Sequence, residues 1–369
     1  MTRRDVKNLR PASPADSGAR LATRRDVLRG SLAAGAALAT GVGCGASDDQ
    51  GKASEGPAPI ERIPLGQVTL VRAETPEAAV ARALELTGAL SFIQPGQRVV
   101  IKPNFTGPVA PPDTTHPEVL AELVRLCLAK GAGEVIVAER AFAGSNTEYL
   151  LGWPLYQSAT KSLRDYVEEA GGRALALDDE PWVEFELPGD VDFDRPIRIP
   201  RLLAEADHLI NAPALKTHEI AVFTMTLKNL FGYVHPDDRQ QLVHQHPLSA
   251  GDPDRVKRMF AQMNLAFSPT LNVLDALVSR TTKGPVGGDQ ADTNLILAGR
   301  DRVAVDAVGL AILKVVGSEP WIMDKPVWQQ VQLAEAVRRG IGVRGPDDVT
   351  LAGEGVAELA EIERALRAV

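Results

Sequence analysis

Short apolar runs alternate with longer segments of helical periodicity through most of this chain. The runs at residues 98–101 and 134–138 are rich in β-branched side chains and are bounded by Gly, Pro or polar residues, which is typical of buried strands. Residues 117–127 instead repeat apolar side chains at spacings of three and four, which predicts an amphipathic helix. Uniformly apolar strands that alternate with helices predict an α/β fold with a mainly parallel sheet and helices on both faces.

One segment departs from this pattern. Residues 182–187 alternate apolar and polar side chains, and residues 196–200 are an extended run between two prolines. Alternation of this kind is typical of half-exposed antiparallel strands. We therefore expect a small antiparallel excursion near residues 180–200, at an edge of the sheet.

The N-terminal segment predicts export. Residues 23–29 read Thr-Arg-Arg-Asp-Val-Leu-Arg and precede fourteen uncharged residues, a pattern similar to a twin-arginine signal peptide with Val27 where Phe is more usual. We assign residues 1–43 to this signal peptide and expect export by the twin-arginine machinery to the periplasm or cell envelope. A basic surface helix is the alternative.

Residues 41–44, Gly-Val-Gly-Cys, resemble a lipoprotein cleavage box. If Cys44 is acylated, the chain is anchored to a membrane surface; simple cleavage nearby is the alternative. Small and polar residues make 44–64 a flexible tether. The α/β domain is then predicted over 65–317, followed by a C-terminal helical extension, 318–369, packed on the domain.

Charge and cysteine content exclude several functions. The formal net charge is −8, and the first 43 residues contain eight basic and three acidic residues, so the remainder carries −13. Such an acidic body does not favour nucleic acid as a partner. Of the two cysteines, Cys44 lies at the signal boundary and Cys127 on the apolar face of a helix. An all-cysteine iron–sulfur cluster needs about four thiolates, so we do not expect this chain alone to bind one; the cofactor stays unknown.

Polar residues follow the predicted strands, and these positions predict one crevice. Because ligands of open parallel sheets bind at the carboxyl ends of the strands, we expect the side chains there to share a site for a small anionic metabolite or cofactor. The predicted ligand-binding residues are Lys102, Asn104, Asn211, Lys216, Thr217, Lys228, Asn229, Asp275 and Gly287.

Proton transfer in this crevice is assigned to His218 or Glu139. Several alternatives remain open: Lys102 as a solvated loop residue, Lys228 with its ammonium in solvent, and Glu139 and Asp275 as structural hydrogen-bonding groups. His218 and His244 are weak candidates for metal ligands. The loop that contains Gly287 can either cradle an anion through backbone N–H groups or simply turn the chain.

An ordered set of motifs resembles the family known as domain of unknown function 362. The motifs are Val100–Phe105, Thr115–Glu118, Asn211–His218, Leu227–Gly232, Gly284–Gly287 and Asp301–Asp306. The likeness covers about residues 65–317 and implies a protein of uncharacterised role. Some members carry a ferredoxin-type cysteine segment that this chain lacks. The first third is also similar to the amino-terminal domain of nickel-dependent lactate racemases, which implies a strand, a polar loop and a helix.

Three functional hypotheses follow. The first is an enzyme that acts on a carboxylated or phosphorylated metabolite by proton or group transfer, with Lys102 and Lys216 as anion clamps. The second is a non-catalytic binding protein or cofactor-carrier lipoprotein of the cell envelope. The third is an envelope interaction module whose pocket is vestigial. A redox or envelope partner protein is compatible with each hypothesis.

Overall fold

A computed structural model describes residues 64–142, 144–156, 159–245 and 251–368. The predicted signal peptide, Cys44 and most of the predicted tether lie outside the described residues, as does His246.

Two sheets form the β-structure of the described residues, one of eleven strands and one of two. The strands in chain order are β1 (Gln67–Val71), β2 (Arg98–Pro103), β3 (Glu134–Glu139), β4 (Arg173–Ala176), β5 (Trp182–Phe185), β6 (Ile197–Pro200), β7 (His208–Ala212), β8 (Ala214–His218), β9 (Val222–Thr224), β10 (Leu271–Arg280), β11 (Gln290–Ala291), β12 (Leu295–Gly299) and β13 (Thr350–Glu354).

Twelve α-helices surround the sheets in the described part of the chain. They are α1 (Pro76–Thr87), α2 (Pro117–Ala129), α3 (Thr147–Leu151), α4 (Leu163–Glu169), α5 (Leu202–Glu205), α6 (Thr226–Asn229), α7 (Pro236–Asp238), α8 (Arg255–Gln262), α9 (Arg302–Val316), α10 (Pro320–Met323), α11 (Val331–Arg338) and α12 (Leu359–Arg367). A π-helix spans Arg239–His244, and short 3-10 helices span Leu230–Tyr233, Met263–Ala266, Val327–Gln329 and Pro346–Asp348.

The large sheet has the order β13-β1-β12-β10-β7-β2-β3-β4. Its neighbours from β10 to β4 are parallel, whereas β12 runs antiparallel to both β1 and β10. The predicted α/β fold is therefore confirmed. The apolar runs at Ile101, Ala138, Asn211 and Leu274 belong to the adjacent strands β2, β3, β7 and β10, although β10 does not end near Leu274 but continues to Arg280.

Alternation along the buried strands explains why both faces of the sheet are covered. In β2, Val99 and Ile101 pack into one apolar core with α1 and α2, whereas Val100 packs into another core on the opposite face. In β12, Ile296 joins the first core and Leu297 joins a third core with α9 and α12. Successive side chains of a strand point to opposite faces, so each apolar run needs cover on both.

The expected antiparallel excursion is present as β5 and β6, which pair from Trp182 with Pro200 to Phe185 with Ile197. These strands form a separate two-stranded sheet and do not extend the edge of the large one. Phe185, Ile197 and Ile199 pack into the same core as Val100.

The C-terminal segment is more than the helical extension that the sequence predicts. Its strand β13 pairs in parallel with β1, from Gln67 opposite Thr350 to Val71 opposite Glu354. Ile362 and Leu366 of α12 are buried in the core that α9 also lines. Residues 318–368 thus complete one edge of the large sheet as well as covering it.

Within the described residues, no helix combines the length and the apolar character needed to cross a bilayer.

Candidate anion-binding site

A cavity of about 180 Å³ lies where β2 and β3 end. One wall comes from the carboxyl ends of these two strands and the residues after them, and the other comes from the segment between β9 and the π-helix. The lining residues are Lys102, Asn104, Phe105, Thr106, Glu139, Arg140, Ala141, Phe142, Thr224, Lys228, Asn229, Phe231, Gly232, Arg239, Gln240 and His244.

Lys102 and Glu139 form a buried ion pair on the strand-end wall. Lys102 Nζ lies 2.7 Å from Glu139 Oε2 and also donates to the Pro103 carbonyl at 2.6 Å. Glu139 accepts two backbone N–H groups in addition, from Phe105 at 3.2 Å and Arg140 at 2.8 Å. Burial lowers the pKa of Lys102, although the carboxylate opposes this effect. Because β2 and β3 are paired in parallel, their carboxyl ends, near which Lys102 and Glu139 lie, are adjacent.

Gly232 leaves room for this pair. A Cβ atom at this position would lie 2.7 Å from Lys102 Cε and 2.9 Å from Glu139 Oε1. Contacts this short are sterically excluded, so any larger residue would displace the ion pair.

A chain of amides connects Lys102 to the interior of the sheet. Asn229 Nδ2 donates to Asn211 Oδ1 at 2.8 Å and to the Lys102 carbonyl at 3.2 Å. Asn211 Nδ2 donates in turn to the Thr226 carbonyl at 2.9 Å and to Asn272 Oδ1 at 3.2 Å. Asn229 lines the cavity, whereas Asn211 lies behind it and holds Asn229 in position.

The short helix α6 is held by a buried carboxylate. Asp306 on α9 accepts the Thr226 N–H at 2.7 Å and the Leu227 N–H at 3.0 Å. Its burial raises its pKa to about 7. This contact fixes the N-terminal end of α6 and thereby positions Lys228 at the cavity.

Lys228 is partly buried and has no hydrogen bond or ion pair within the described residues. Its Nζ lies 4.9 Å from the Phe260 ring centroid and 5.6 Å from that of Phe231. Burial, reinforced by the positive charges of Lys216, Arg239 and Lys102, lowers the pKa of Lys228 to about 7. An ammonium over aromatic rings gains only about 0.5–2 kcal/mol, so this amine is open to a further partner.

The π-helix supplies a second cation. Arg239 donates to the Ala141 carbonyl at 3.0 Å and to the Arg140 carbonyl at 3.3 Å. Burial lowers the pKa of Arg239 to about 10, so it stays charged at neutral pH. His244 packs edge-on against Phe231, and burial and Lys228 lower its pKa to about 4, so its ring is neutral.

Three lining residues carry a buried polar atom that has no hydrogen-bond partner. The atoms are Asn104 Oδ1, Thr224 Oγ1 and Arg239 Nε, and they make up half of the six such atoms among the described residues. Their residues are only 6%, 4% and 7% exposed, respectively. Because a buried polar group without a partner costs about 1–3 kcal/mol, their convergence on one cavity is typical of a binding site.

Lys216 and His218 lie near this cavity but do not line it. Lys216 is 1% exposed and donates to the Asp113 carbonyl at 2.9 Å; burial lowers its pKa to about 8. His218 Nδ1 accepts the N–H groups of Ile220 at 3.1 Å and Ala221 at 3.3 Å. Burial, Lys228 and Lys216 hold the pKa of His218 far below its usual range, so the ring is neutral and its proton is on Nε2.

Thr217, Asp275 and Gly287 do not line the cavity either. Thr217 Oγ1 accepts the Gly284 N–H at 3.0 Å, and Asp275 accepts the His116 N–H at 2.7 Å at the start of α2. Gly287 is exposed in a loop with a φ of 86°. Of the residues predicted to share the crevice, the structure therefore brings together Lys102, Asn104, Glu139, Lys228 and Asn229; His244, predicted only as a weak metal-ligand candidate, lines the same cavity.

The described part of the chain contains no cluster of potential metal ligands. No group of three or more His, Cys, Asp or Glu side chains there is arranged to hold a metal ion. The pair His218 and His244, proposed from the sequence, belongs to no such group.

Sequence reasoning missed Arg239, Thr224 and Gln240 as lining residues. Thr224 ends β9, a strand that the polar pattern does not predict. Gln240 and His244 are four residues apart on the π-helix, together with Arg239. A helical spacing of polar residues after Pro236 could have drawn attention to this turn, and π-helical turns frequently occur at functional sites.

The fold and this cavity define an α/β protein with a basic crevice at the carboxyl ends of its strands. The chain belongs to the family described as Domain of unknown function (DUF362), whose model matches residues 99–311. All of the cavity's lining residues fall within that range. The chain is also similar to Thylakoid-associated protein sll1697 of Synechocystis sp., with 31% identity over 262 residues, which cover 67% of this chain and 74% of that protein.

Proposed function

We propose that the chain binds a small anionic metabolite or cofactor in this cavity. Arg239, Thr224 and Asn104 support the proposal most directly, because each lines the cavity and carries a buried polar atom without a partner; Arg239 Nε and Thr224 Oγ1 are donors of the kind that an anion accepts. The Asn104 amide can turn either its NH₂ or its oxygen toward a ligand.

The charge of the lining favours an anion. Four basic side chains, Lys102, Arg140, Lys228 and Arg239, surround Glu139, the single carboxylate among the described lining residues. Glu139 is occupied by Lys102 at 2.7 Å, and Arg140 lies 3.7 Å from Asp178. Lys228 and Arg239 therefore provide positive charge that no carboxylate neutralises at close range, within a chain whose net charge is −8.

The size of the cavity favours a small ligand. At about 30 Å³ per water molecule, a volume of about 180 Å³ corresponds to about six waters. Pockets for drug-sized ligands are about 300–1,000 Å³. A compact carboxylate or phosphate compound therefore fits better than a dinucleotide.

Calorimetric titration of the mature chain with sulfate and with pyruvate tests the proposal. Arg239→Met removes the unpartnered Nε and the charge, and hydrogen bonds to charged groups contribute about 1.5–3 kcal/mol, so we expect affinity to fall about 10- to 150-fold. Arg344→Met is the matched control, because Arg344 is largely exposed on the surface and its loss changes the net charge equally. Equal affinities for both variants and the parent chain would contradict anion binding here.

The proposed function has two versions, which differ in whether the bound ligand also reacts. In one, the protein is an enzyme for proton or group transfer, and Glu139 beside Lys102 is the acid–base group. In the other, it is a non-catalytic binding or carrier protein of the cell envelope. The buried Lys102–Glu139 pair favours a structural role for Glu139, because both of its oxygens already accept hydrogen bonds.

We also propose that this binding takes place outside the cytoplasm. Arg24 and Arg25 resemble a twin-arginine pair and Cys44 a lipidation site, and the name of the Synechocystis relative describes that protein as thylakoid-associated. Replacing both arginines by Lys is expected to leave the precursor in the cytoplasm. Normal export of that variant in a fractionation experiment would rule out the twin-arginine route.

A further inference from the structure

Lys228 differs from Lys102, which also lines the cavity, and from Lys216, which lies near it; both of these are fully buried. Lys102 is bonded to Glu139 and the Pro103 carbonyl, and Lys216 to the Asp113 carbonyl. In the described part of the chain, Lys228 Nζ has no hydrogen bond or ion pair and lies over the rings of Phe231 and Phe260. Lys228 therefore lines a polar cavity with an amine that no hydrogen bond or ion pair of the described residues holds in place.

The surroundings of Lys228 suit a nucleophilic amine. An amine attacks a carbonyl carbon only in its neutral form, and desolvation or a neighbouring cation increases the neutral fraction. Phe231 and Phe260 exclude water from one side of Nζ, and the nearest charged side chains on adjacent elements are cationic. The titratable groups facing Lys228 from the surrounding elements are Lys102, Glu139, Lys216, His218, Arg239 and His244.

The other lining groups indicate what the reacting molecule carries. Arg239 Nε is a donor of the type that binds carboxylates, and Thr224 Oγ1 and the Asn104 amide can bond to a further oxygen. A ligand for this set has one anionic end and one neutral oxygen. A short oxo acid meets both conditions and also fits the small volume.

Building on the proposed anion site, we propose that Lys228 forms an imine with a small 2-oxo acid held in this cavity. The Nζ lone pair attacks the carbonyl carbon and the carbonyl π-bond becomes a hydroxyl after proton transfer. Loss of that hydroxyl as water leaves a C=N bond between the ligand and Lys228. The step is a reversible condensation that consumes amine and ketone and releases water, and nothing is oxidised or reduced.

Reductive trapping tests the proposal. The folded mature chain is incubated with pyruvate and cyanoborohydride, which reduces an imine to a stable secondary amine. Intact mass should rise by one pyruvate less one water plus two hydrogens, and peptide mapping should place the adduct on Lys228. Lactate, in which a hydroxyl replaces the ketone, should bind as an anion and leave no adduct.

Two variants separate chemistry from folding. Lys228→Arg keeps a cation but cannot form an imine, so trapping should be lost while an unchanged melting temperature shows that the variant folds. Lys161→Arg changes an exposed lysine that does not line the cavity and should leave trapping unchanged. An adduct spread over surface lysines, or trapping that survives in Lys228→Arg, overturns the imine proposal.

Failure of the imine proposal can be distinguished from failure of anion binding. If sulfate and lactate bind but pyruvate leaves no adduct on Lys228, the cavity is an anion site without imine chemistry. If none of the three anions binds, the proposed function fails and the imine proposal fails with it.

Discussion

Replacement of Glu139 by Gln tests whether the buried ion pair at the cavity is structural. Both partners are 2% exposed, and their charged atoms lie 2.7 Å apart. In Glu139→Gln, the new amide has no charge to offer Lys102, whose one other acceptor among the described residues is the Pro103 carbonyl. The ammonium must then stay buried without a counter-ion or lose its proton.

The size of the destabilisation follows from the loss of the counter-ion of Lys102. Removal of one partner from a buried pair costs about 3–5 kcal/mol, because the remaining charge is uncompensated. For a domain of this size class, such a loss lowers the melting temperature by about 6–20 °C. Lys102→Met should cost less than Glu139→Gln, because the carboxylate retains the N–H groups of Phe105 and Arg140. The double variant should recover most of the loss, since neither charge is then buried.

Urea unfolding of the parent chain, both single variants and the double variant gives a complete double-mutant cycle. The expected interaction energy is a large fraction of the Glu139→Gln cost. The structural assignment is refuted if Glu139→Gln unfolds within about 1 kcal/mol of the parent chain, since that is the typical value of an exposed pair. It is also refuted if Lys102→Met is the more damaging change.

Three further outcomes follow from the same structure. Sulfate affinity should decrease as pH rises through about 7, because the amine of Lys228, whose pKa burial lowers to that value, loses its charge; Lys228→Arg should make the affinity independent of pH in calorimetry. Lys216→Met should lower the melting temperature by leaving the Asp113 carbonyl without its donor, yet change sulfate affinity little; a large affinity loss at unchanged stability would instead make Lys216 a ligand contact. Cys44→Ser should release the exported protein from membranes, and retention of the variant at high salt would exclude acylation as the anchor.

Strand ends were the most predictable part of the site. The apolar runs that became β2, β3 and β7 are visible in the sequence, and Lys102, Asn104 and Glu139 follow from where those runs stop. Parallel pairing places the two strand ends next to each other, and Lys102 and Glu139 form an ion pair there. This part is predictable because it depends on local periodicity and on one rule about sheet edges.

The strand β8 was not predictable in the same way. Lys216, Thr217 and His218 suggest a polar loop past Pro213, yet β8 (Ala214–His218) is buried at every position. Its polar groups are satisfied by partners far away in the chain, such as the carbonyl of Asp113 for Lys216 and the N–H of Gly284 for Thr217. A single sequence does not reveal such long-range partners, so a buried polar strand looks like a loop.

The two walls of the cavity have different roles, because the polar groups of one wall already have hydrogen-bond partners and several of those on the other do not. On the strand-end wall, Lys102 and Glu139 satisfy each other, and Gly232 leaves room for them. The groups without close partners come mainly from the opposite wall, where Lys228 and Arg239 belong to α6 and the π-helix. We infer that the strand ends give the cavity its rigidity, while residues 224–244 determine which anion it accepts. Changes in that segment can therefore alter the ligand while the pairing of β2 with β3 is preserved.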